Sequence, residues 1–162
     1  MTKKKLESLM DELIKTKNEL FIKCNTIVKE KINAIKAVLI EVQNAANNET
    51  KSSAGDKHET GRAMAQLETE KLSAQLSETL KLERVLTLIN PKEKHQLIGL
   101  GSLVITNNGN FYITVSLGKI TINNETYFVI SAVSPIGKQL IGLSKNDSFS
   151  FNGRPYLIKN VN

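Results

Sequence analysis

The chain has 162 residues, of which 40% are hydrophobic and 23% are charged, and its formal net charge is +6 at pH 7. These proportions exclude an intrinsically disordered protein, and the length allows one or two small domains. The single cysteine, Cys24, excludes an internal disulfide framework. No apolar stretch reaches the roughly 18 residues that a bilayer-spanning helix needs, so we expect a cytoplasmic protein with no membrane partner.

The charge is distributed unevenly along the sequence. Residues 1–48 carry nine basic and six acidic residues (+3), residues 49–89 carry six and seven (−1), and residues 90–162 carry seven and three (+4). A positive C-terminal half favours contact with nucleic acid, DNA binding included, or with another anionic surface. The alternative is ordinary solubilising charge.

A first long helix is predicted from about residue 5 to residue 47, which contain no Pro and no Gly. Apolar residues recur there at helical spacing and form one stripe: Leu6, Leu9, Leu13, Leu20, Cys24, Ile27, Ala34, Val38, Val42 and Ala45. This stripe is close to a heptad seam that Lys17 and Lys31 interrupt. Because Cys24 lies on the stripe, we expect it to be a packed core thiol.

A second helix is predicted over residues 60–89, where Leu72, Leu76 and Leu80 form one row. The polar segment 47–56 between the helices indicates a loop. Pro91 ends the second helix, because proline disfavours the helical conformation of the residue before it. Two long helices joined by a short loop predict an antiparallel helical hairpin, a coiled coil with its tip near residues 48–60.

After Pro91 the apolar pattern changes to strict alternation, which is typical of strands. Strands are predicted over residues 111–117, 120–122 and 126–133, and near Phe149 and Tyr156. The turn signals between them are Asn107-Asn108-Gly109, Asn123-Asn124 and Asn152-Gly153.

One short helix is predicted in this C-terminal region. Ser134 has the side chain of an N-cap, Pro135 suits the first helical position, and the helix would end near Leu143. The expected fold class is therefore α+β. Residues 1–90 form the N-terminal hairpin, and residues 91–162 form a small antiparallel β domain with one short helix.

The candidate site is the hairpin tip, Gly55-Asp56-Lys57-His58-Glu59. Two carboxylates three residues apart at a helix start, Asp56 and Glu59, can face the same way. Mg²⁺ is often held by one or two carboxylates, with water and phosphate completing its shell. The alternative is a capping box, in which Asp56 accepts from a backbone N–H and Glu59 reaches back.

Two stretches of the sequence resemble the Gre transcript-cleavage factors (GreA/GreB type), and the likeness extends over about residues 45–162. Residues 55–59 look like the Gly-Asp-x-x-Glu of that family's coiled-coil tip. Residues 130–142, Ile-Ser-Ala-Val-Ser-Pro-Ile-Gly-Lys-Gln-Leu-Ile-Gly, resemble its C-terminal signature. The second match is the more specific, because it fixes several residue types over one continuous stretch.

The resemblance implies an FKBP-like C-terminal domain that docks at the secondary channel of bacterial RNA polymerase. The coiled coil would enter the channel, and Asp56 and Glu59 would help to hold a Mg²⁺ ion of the polymerase that hydrolyses backtracked nascent RNA. Polymerase docking is expected to involve Ser134, Pro135, Ile136 and Gly137. On this reading the chain is a monomeric accessory factor and not itself an enzyme, and it binds no cofactor when free.

Three alternatives remain at this point. Where the family usually has Asn-Ala-Glu-Tyr after its tip glutamate, this chain has Thr60-Gly61-Arg62-Ala63. A Gre-like regulator that occupies the channel without promoting cleavage is therefore the first alternative. A prolyl isomerase or chaperone is the second, although an aromatic-lined pocket is not expected in a sequence with 5% aromatic residues. A structural coiled-coil adaptor is the third, and it leaves the C-terminal signature unexplained.

Overall fold

The computed structural model describes the backbone of residues 2–52 and 56–162 and the side chains of residues 2–48 and 59–162. Two long helices are followed by a six-stranded sheet and a short helix, so the predicted α+β class is confirmed. In chain order the elements are α1 (Lys3–Ser52), α2 (Asp56–Thr87), β1 (Leu103–Thr106), β2 (Gly109–Thr114), β3 (Gly118–Ile122), β4 (Glu125–Ser131), α3 (Pro135–Leu140), β5 (Ser148–Phe151) and β6 (Arg154–Val161). None of the helices in the described part of the chain is long and apolar enough to cross a membrane.

The chain divides into two compact units. Unit 1 consists of Met1–Asn25 and Val85–Asn162, and it contains the sheet, α3, the start of α1 and the end of α2. Unit 2 is Thr26–Arg84 and contains the remainder of the two long helices. The predicted domain boundary between residues 90 and 91 stays a prediction.

The apolar stripe of α1 is only partly the predicted one. Leu20 and Cys24 are buried and Val42 is half-buried, as expected, but Ala34, Val38 and Ala45 are exposed. The buried or half-buried positions that replace them are Val28, Ile32, Ile35, Leu39 and Ala46. Since α1 is apolar over a broad face, two neighbouring stripes both fit helical spacing, and only contact with a partner selects one.

Helix α2 also buries residues at coiled-coil spacing. Leu72 is buried, and Leu76 and Leu80 are half-buried, in agreement with the predicted row; Leu86, nearer the end of the helix, is also buried. Thr79 takes the next buried position, and its hydroxyl donates to the carbonyl of Gln75 at 2.8 Å, so the polar atom is satisfied. Within unit 2 the two helices lie side by side, because residues of both line one open groove: Lys31, Ala34, Ile35, Ala74, Gln75, Glu78 and Thr79.

The predicted loop over residues 47–56 is wrong in its extent. Helix α1 continues through Ser52, and α2 begins at Asp56. The segment is polar, but it contains neither Pro nor Gly before Gly55, so nothing in it forces the helix to end earlier.

The sheet is mixed, so the prediction of a wholly antiparallel sheet is wrong. Its strand order is β3-β4-β2-β1-β6-β5. Strands β2 and β4 pair in parallel, and Phe111 lies beside Phe128 in this register. Strand β4 pairs with β3 as an antiparallel hairpin and lies between β3 and β2. The neighbour of β2 on this side is therefore β4, which runs parallel to it, and not β3. Strand β1, at Leu103–Thr106, was not predicted.

The two faces of the sheet have different partners within unit 1. One face joins α3 in a core made of Ile98, Val104, Phe111, Ile113, Leu140, Tyr156 and Ile158. The opposite face carries Tyr112 and Tyr127, and it receives the N-terminal part of α1, where Thr16 hydrogen-bonds Tyr127. Lys23 of α1 also donates to the carbonyl of Thr121 on β3 at 3.2 Å.

The predicted hairpin turns are present. Asn123 and Asn124 have φ of 50° and 67° between β3 and β4, and Asn152 and Gly153 have φ of 51° and 76° between β5 and β6. Positive φ at both central positions is the geometry of the tight turn that joins twisted strands.

Helix α3 begins as predicted but ends at Leu140 and not near Leu143. The chain leaves the helix because Ile141 has an extended ψ of 129° and Gly142 a φ of 85°. Backbone hydrogen bonds from Gly142 to Ile98 and from Ile98 to Leu143 then hold this segment against the chain that precedes β1.

Candidate functional site

The first turn of α2 holds the predicted carboxylate pair. The backbone of Asp56 and Glu59 is helical, and both residues belong to the first turn of α2. The Glu59 side chain is exposed. The side chains of Asp56, Lys57 and His58, and all of Gly55, lie outside the described residues.

This turn has chemistry that suits a shared metal ion. Carboxylates in the first turn of a helix are favoured by the helix dipole, and carboxylate oxygens are ligands that Mg²⁺ prefers. Among the side chains that the structure describes, no group of three or more His, Cys, Asp or Glu is placed to hold a metal. The metal site predicted at Asp56 and Glu59 stays a prediction.

The second predicted site, the segment from Ser134 to Gly137, forms the start of α3. The Ser134 hydroxyl accepts from the amide of Gly137 at 3.1 Å and donates to the carbonyl of Ser131 at 2.6 Å. Pro135 occupies the first turn, where its missing N–H costs nothing. The predicted N-cap is therefore confirmed, and it joins the end of β4 to α3.

Residue 137 must be glycine because no space is left there for a Cβ atom. A Cβ atom there would overlap the backbone oxygen of Ser131 and would lie 2.8 Å from the Ser134 hydroxyl. Of the four predicted docking residues, Ser134 and Gly137 thus have structural roles, while Pro135 is exposed and Ile136 is half-buried. Polymerase docking by this segment stays a prediction.

Next to Ile136 is an apolar pocket in unit 1 with a volume of about 360 Å³. Its walls are mainly aromatic, and its lining residues are Asn108, Phe111, Phe128, Ile130, Ile136, Phe151, Asn152, Arg154 and Tyr156. The rings of Phe111 and Phe128 are 5.7 Å apart, and those of Phe111 and Tyr156 are 6.1 Å apart in an edge-on arrangement. Size and composition are those of a ligand-binding pocket.

An aromatic-lined pocket was not expected from the composition, and that expectation was wrong. Few aromatic residues are present, but Phe111, Phe128, Phe151 and Tyr156 come from four different strands and meet on one face. The pairing of β2 with β4 brings Phe111 and Phe128 side by side, and that pairing was not expected. Alternation along each strand was the available signal, and it fixes the face only once the neighbouring strands are known.

A buried lysine ties α1 to the segment after α2. Lys17 has no exposed surface, and its amino group donates to the carbonyl of Glu93 at 2.5 Å and to the side-chain oxygen of Asn162 at 3.4 Å. Burial lowers the pKa of Lys17 to about 8, and the negative charge of the nearby Glu93 carboxylate opposes part of this decrease. Burial, together with the positive charge of Lys17, also lowers the pKa of His95. From the sequence, Lys17 was recognised only as an interruption of the apolar stripe, and its burial was not predicted.

Cys24 is fully buried, as predicted for a core thiol. Burial against the sheet raises the pKa of this thiol to about 11, so it stays protonated at neutral pH. A protonated, inaccessible thiol is a poor nucleophile and a poor metal ligand, and we assign it a packing role.

Comparison with known proteins gives no further assignment. No protein-family model matches the chain. No curated protein matches it either.

Proposed function

We propose that this chain is a Gre-like transcription elongation factor that binds bacterial RNA polymerase at its secondary channel and stimulates cleavage of backtracked RNA. In this proposal residues 1–90 are an antiparallel coiled coil, and residues 91–162 are an FKBP-like docking domain. Asp56 and Glu59 share a Mg²⁺ ion with the polymerase, and the free protein binds no cofactor. The partners are the polymerase and its nascent RNA, and the factor acts as a cytoplasmic monomer.

The observation that carries the proposal is the position of Asp56 and Glu59 in the first turn of α2, directly after residues 53–55. The part of α1 in unit 2, Thr26–Ser52, is about 40 Å long at 1.5 Å per residue. Two helices of this length that bury heptad-spaced residues against each other support a coiled coil. Such a pair is long enough to carry two carboxylates deep into a channel.

The chain's own residues account for the rest of the proposed activity. The Asp56 and Glu59 carboxylates would hold a metal ion together with ligands from the polymerase. A metal held there would supply Lewis acidity and would lower the pKa of a bound water. At the start of α3, Pro135 is exposed and Ile136 is half-buried, which supports docking through the C-terminal region.

RNA cleavage in a stalled, backtracked elongation complex with the cognate polymerase tests the proposal. We expect the wild-type protein to accelerate cleavage, and Asp56→Ala/Glu59→Ala to reduce that acceleration by about 10- to 100-fold, the usual effect of losing metal-supporting carboxylates. The variant should still bind the elongation complex. Glu68→Ala, another exposed acid of α2, is the matched control and should retain full activity.

The same experiment separates the non-cleaving alternative. Binding and inhibition by both wild type and double variant, without cleavage by either, would contradict the cleavage mechanism and identify a channel-occupying regulator. Arg62 is exposed about one turn after Glu59, where its positive charge makes the local potential less negative, and this observation favours the alternative.

The aromatic pocket favours a second candidate function, that of a prolyl isomerase or chaperone. Apolar rings around a pocket of about 360 Å³ suit a proline side chain in an extended peptide. A proline-isomerisation assay on a short peptide tests this directly. Catalysis that Phe128→Ala abolishes would support the second candidate, and a rate equal to the uncatalysed one would remove it.

A further inference from the structure

The mouth of the aromatic pocket carries positive charge. Arg154 lines the pocket and is exposed, and its guanidinium has no hydrogen-bond or ion-pair partner among the described side chains. Lys119 does not line the pocket itself, but its amino group lies 5.6 Å from the centre of the Phe128 ring, which does. None of the lining residues is acidic. An apolar interior is thus flanked by two cations.

Register explains why both cations lie on the pocket face. Lys119 is paired with Phe128 between β3 and β4, and Arg154 is paired with Phe151 between β5 and β6. Directly paired residues of antiparallel strands project to the same face. Both cations therefore lie on the face that holds the rings. They lie towards opposite edges of the sheet, Lys119 on β3 and Arg154 on β6.

The pocket offers little ring surface for stacking a nucleic-acid base. Phe111 is 4% exposed and Tyr156 is 7% exposed, and Tyr156 is stacked on Phe149 at 4.8 Å between ring centres. Stacking of bases needs open aromatic faces. What the pocket does offer is a concave apolar volume, which suits one or two aliphatic or aromatic side chains of a peptide.

We propose that this pocket binds a short acidic peptide segment that inserts an apolar side chain between Phe128, Ile136 and Phe151. Carboxylates on either side of the apolar residue pair with Lys119 and Arg154. The exposed turn at Asn152 lies at the mouth, where its amide can hydrogen-bond the main chain of the peptide. This binding is independent of the carboxylates of the α2 start and of any cleavage activity.

Fluorescence anisotropy with the full-length protein tests the inference, using labelled peptides of defined composition. The probe is Asp-Asp-Phe-Leu-Asp-Asp, compared with Lys-Lys-Phe-Leu-Lys-Lys, with Asp-Asp-Gly-Ser-Asp-Asp and with a uridine hexanucleotide. We expect the first peptide to bind, with both altered peptides and the RNA at least about tenfold weaker, because each lacks the anchor or the matching charge. Equal binding of the basic peptide, tighter binding of the RNA, or no binding of the acidic peptide would overturn the proposal.

Charge reversal locates the binding. Arg154→Glu and Lys119→Glu should each weaken binding of the acidic peptide by about three- to tenfold. This is the effect expected when one charge of an exposed pair is inverted. Lys159→Glu is the matched control, since Lys159 is exposed on β6 but alternates to the other face from the buried Tyr156 and Ile158. Equal losses for all three variants would show a diffuse electrostatic effect and contradict a pocket site.

Amide shifts give a readout that does not depend on the variants. On titration of the ¹⁵N-labelled protein with the acidic peptide, the largest shifts should fall at Phe128, Ile136 and Phe151. Shifts centred on α1 or α2 would place the peptide elsewhere and overturn the assignment. Because the assay needs no polymerase, its failure is separate from failure of the transcription proposal.

Discussion

Lys17 shows at the residue scale how a charge can be held inside unit 1. Its amino group meets Glu93 and Asn162, and these polar partners reduce the cost of burial without removing it. The lowered pKa, about 8 in place of 10.5, measures what remains of that cost. Lys17 therefore connects the N-terminal part of α1 to the segment after α2. Below pH 8, where its amino group is charged, its burial lowers the free energy of unfolding.

The pH dependence of stability follows from this shift. Between pH 8 and 10.5 the unfolded chain keeps the Lys17 proton while the folded chain loses it, so stability rises with pH. We expect the free energy of unfolding to rise by about 1 kcal/mol from pH 7.5 to 9 because of this group. Urea unfolding followed by circular dichroism measures it.

Two variants isolate the contribution of Lys17. Lys17→Met should remove the rise, while Lys23→Met, which changes an exposed lysine of the same helix, should keep it. The window must stop near pH 9, because Cys24 and Tyr112 have raised pKa values and lose stability above that pH. Burial lowers the pKa of His95, which moves it away from this window. An unchanged rise in Lys17→Met would show that another group is responsible.

Gly137 is fixed by contact and not by backbone strain. We expect Gly137→Ala to reduce the free energy of unfolding by about 2–3 kcal/mol, since the new methyl group would overlap the Ser131 carbonyl. Gly118→Ala is the control: its φ of 82° strains any side chain, but its Cβ would meet nothing within 4 Å. That control should cost about 1 kcal/mol. Tyrosine fluorescence during urea unfolding gives both values, and equal losses would contradict the contact.

At the scale of elements, the apolar pattern of α1 fits two stripes, and the buried residues show which of them faces the partner helix. The predicted stripe includes Val38, which is 39% exposed, whereas the observed seam includes Ile32, which is 4% exposed. Both residues are β-branched and lie on the same helix, so intrinsic propensity favours neither. Burial alone decides which side chain stabilises the helix pair.

Alanine substitution at these two positions tests the seam. Ile32→Ala should reduce stability by about 2–4 kcal/mol through lost burial and a residual cavity, whereas Val38→Ala should change it by less than about 1 kcal/mol. Thermal unfolding followed by circular dichroism at 222 nm reports both. A larger loss at Val38 than at Ile32 would restore the predicted stripe.

The turns and α3 were largely predictable at this scale because their signals are local. The hairpin residues Asn152-Gly153 and the cap Ser134-Pro135 act through their own backbone geometry, and both occur where they were expected. The end of α3 was not, since it depends on hydrogen bonds to Ile98, which lies far away in sequence. Local chemistry starts an element, and tertiary contacts decide where it stops.

At the scale of the whole molecule, the two proposals have separate readouts, although Ile136 belongs both to the proposed docking segment and to the pocket. The transcription proposal rests on the start of α2 in unit 2, and the peptide proposal rests on the sheet face in unit 1. Cleavage without peptide binding, or peptide binding without cleavage, would each retain one proposal and remove the other. The assays therefore need not be interpreted together.

The sequence by itself determined the α+β class, the two long helices, the tight turns and the cap of α3, because periodicity and turn chemistry act over short stretches. It also predicted a helix start at Asp56 and Glu59, and the backbone of both residues is helical. Only the tertiary structure decided the parallel β2–β4 pair and the face shared by Phe111, Phe128 and Tyr156. Strand order depends on which distant segments meet, and no local pattern records it.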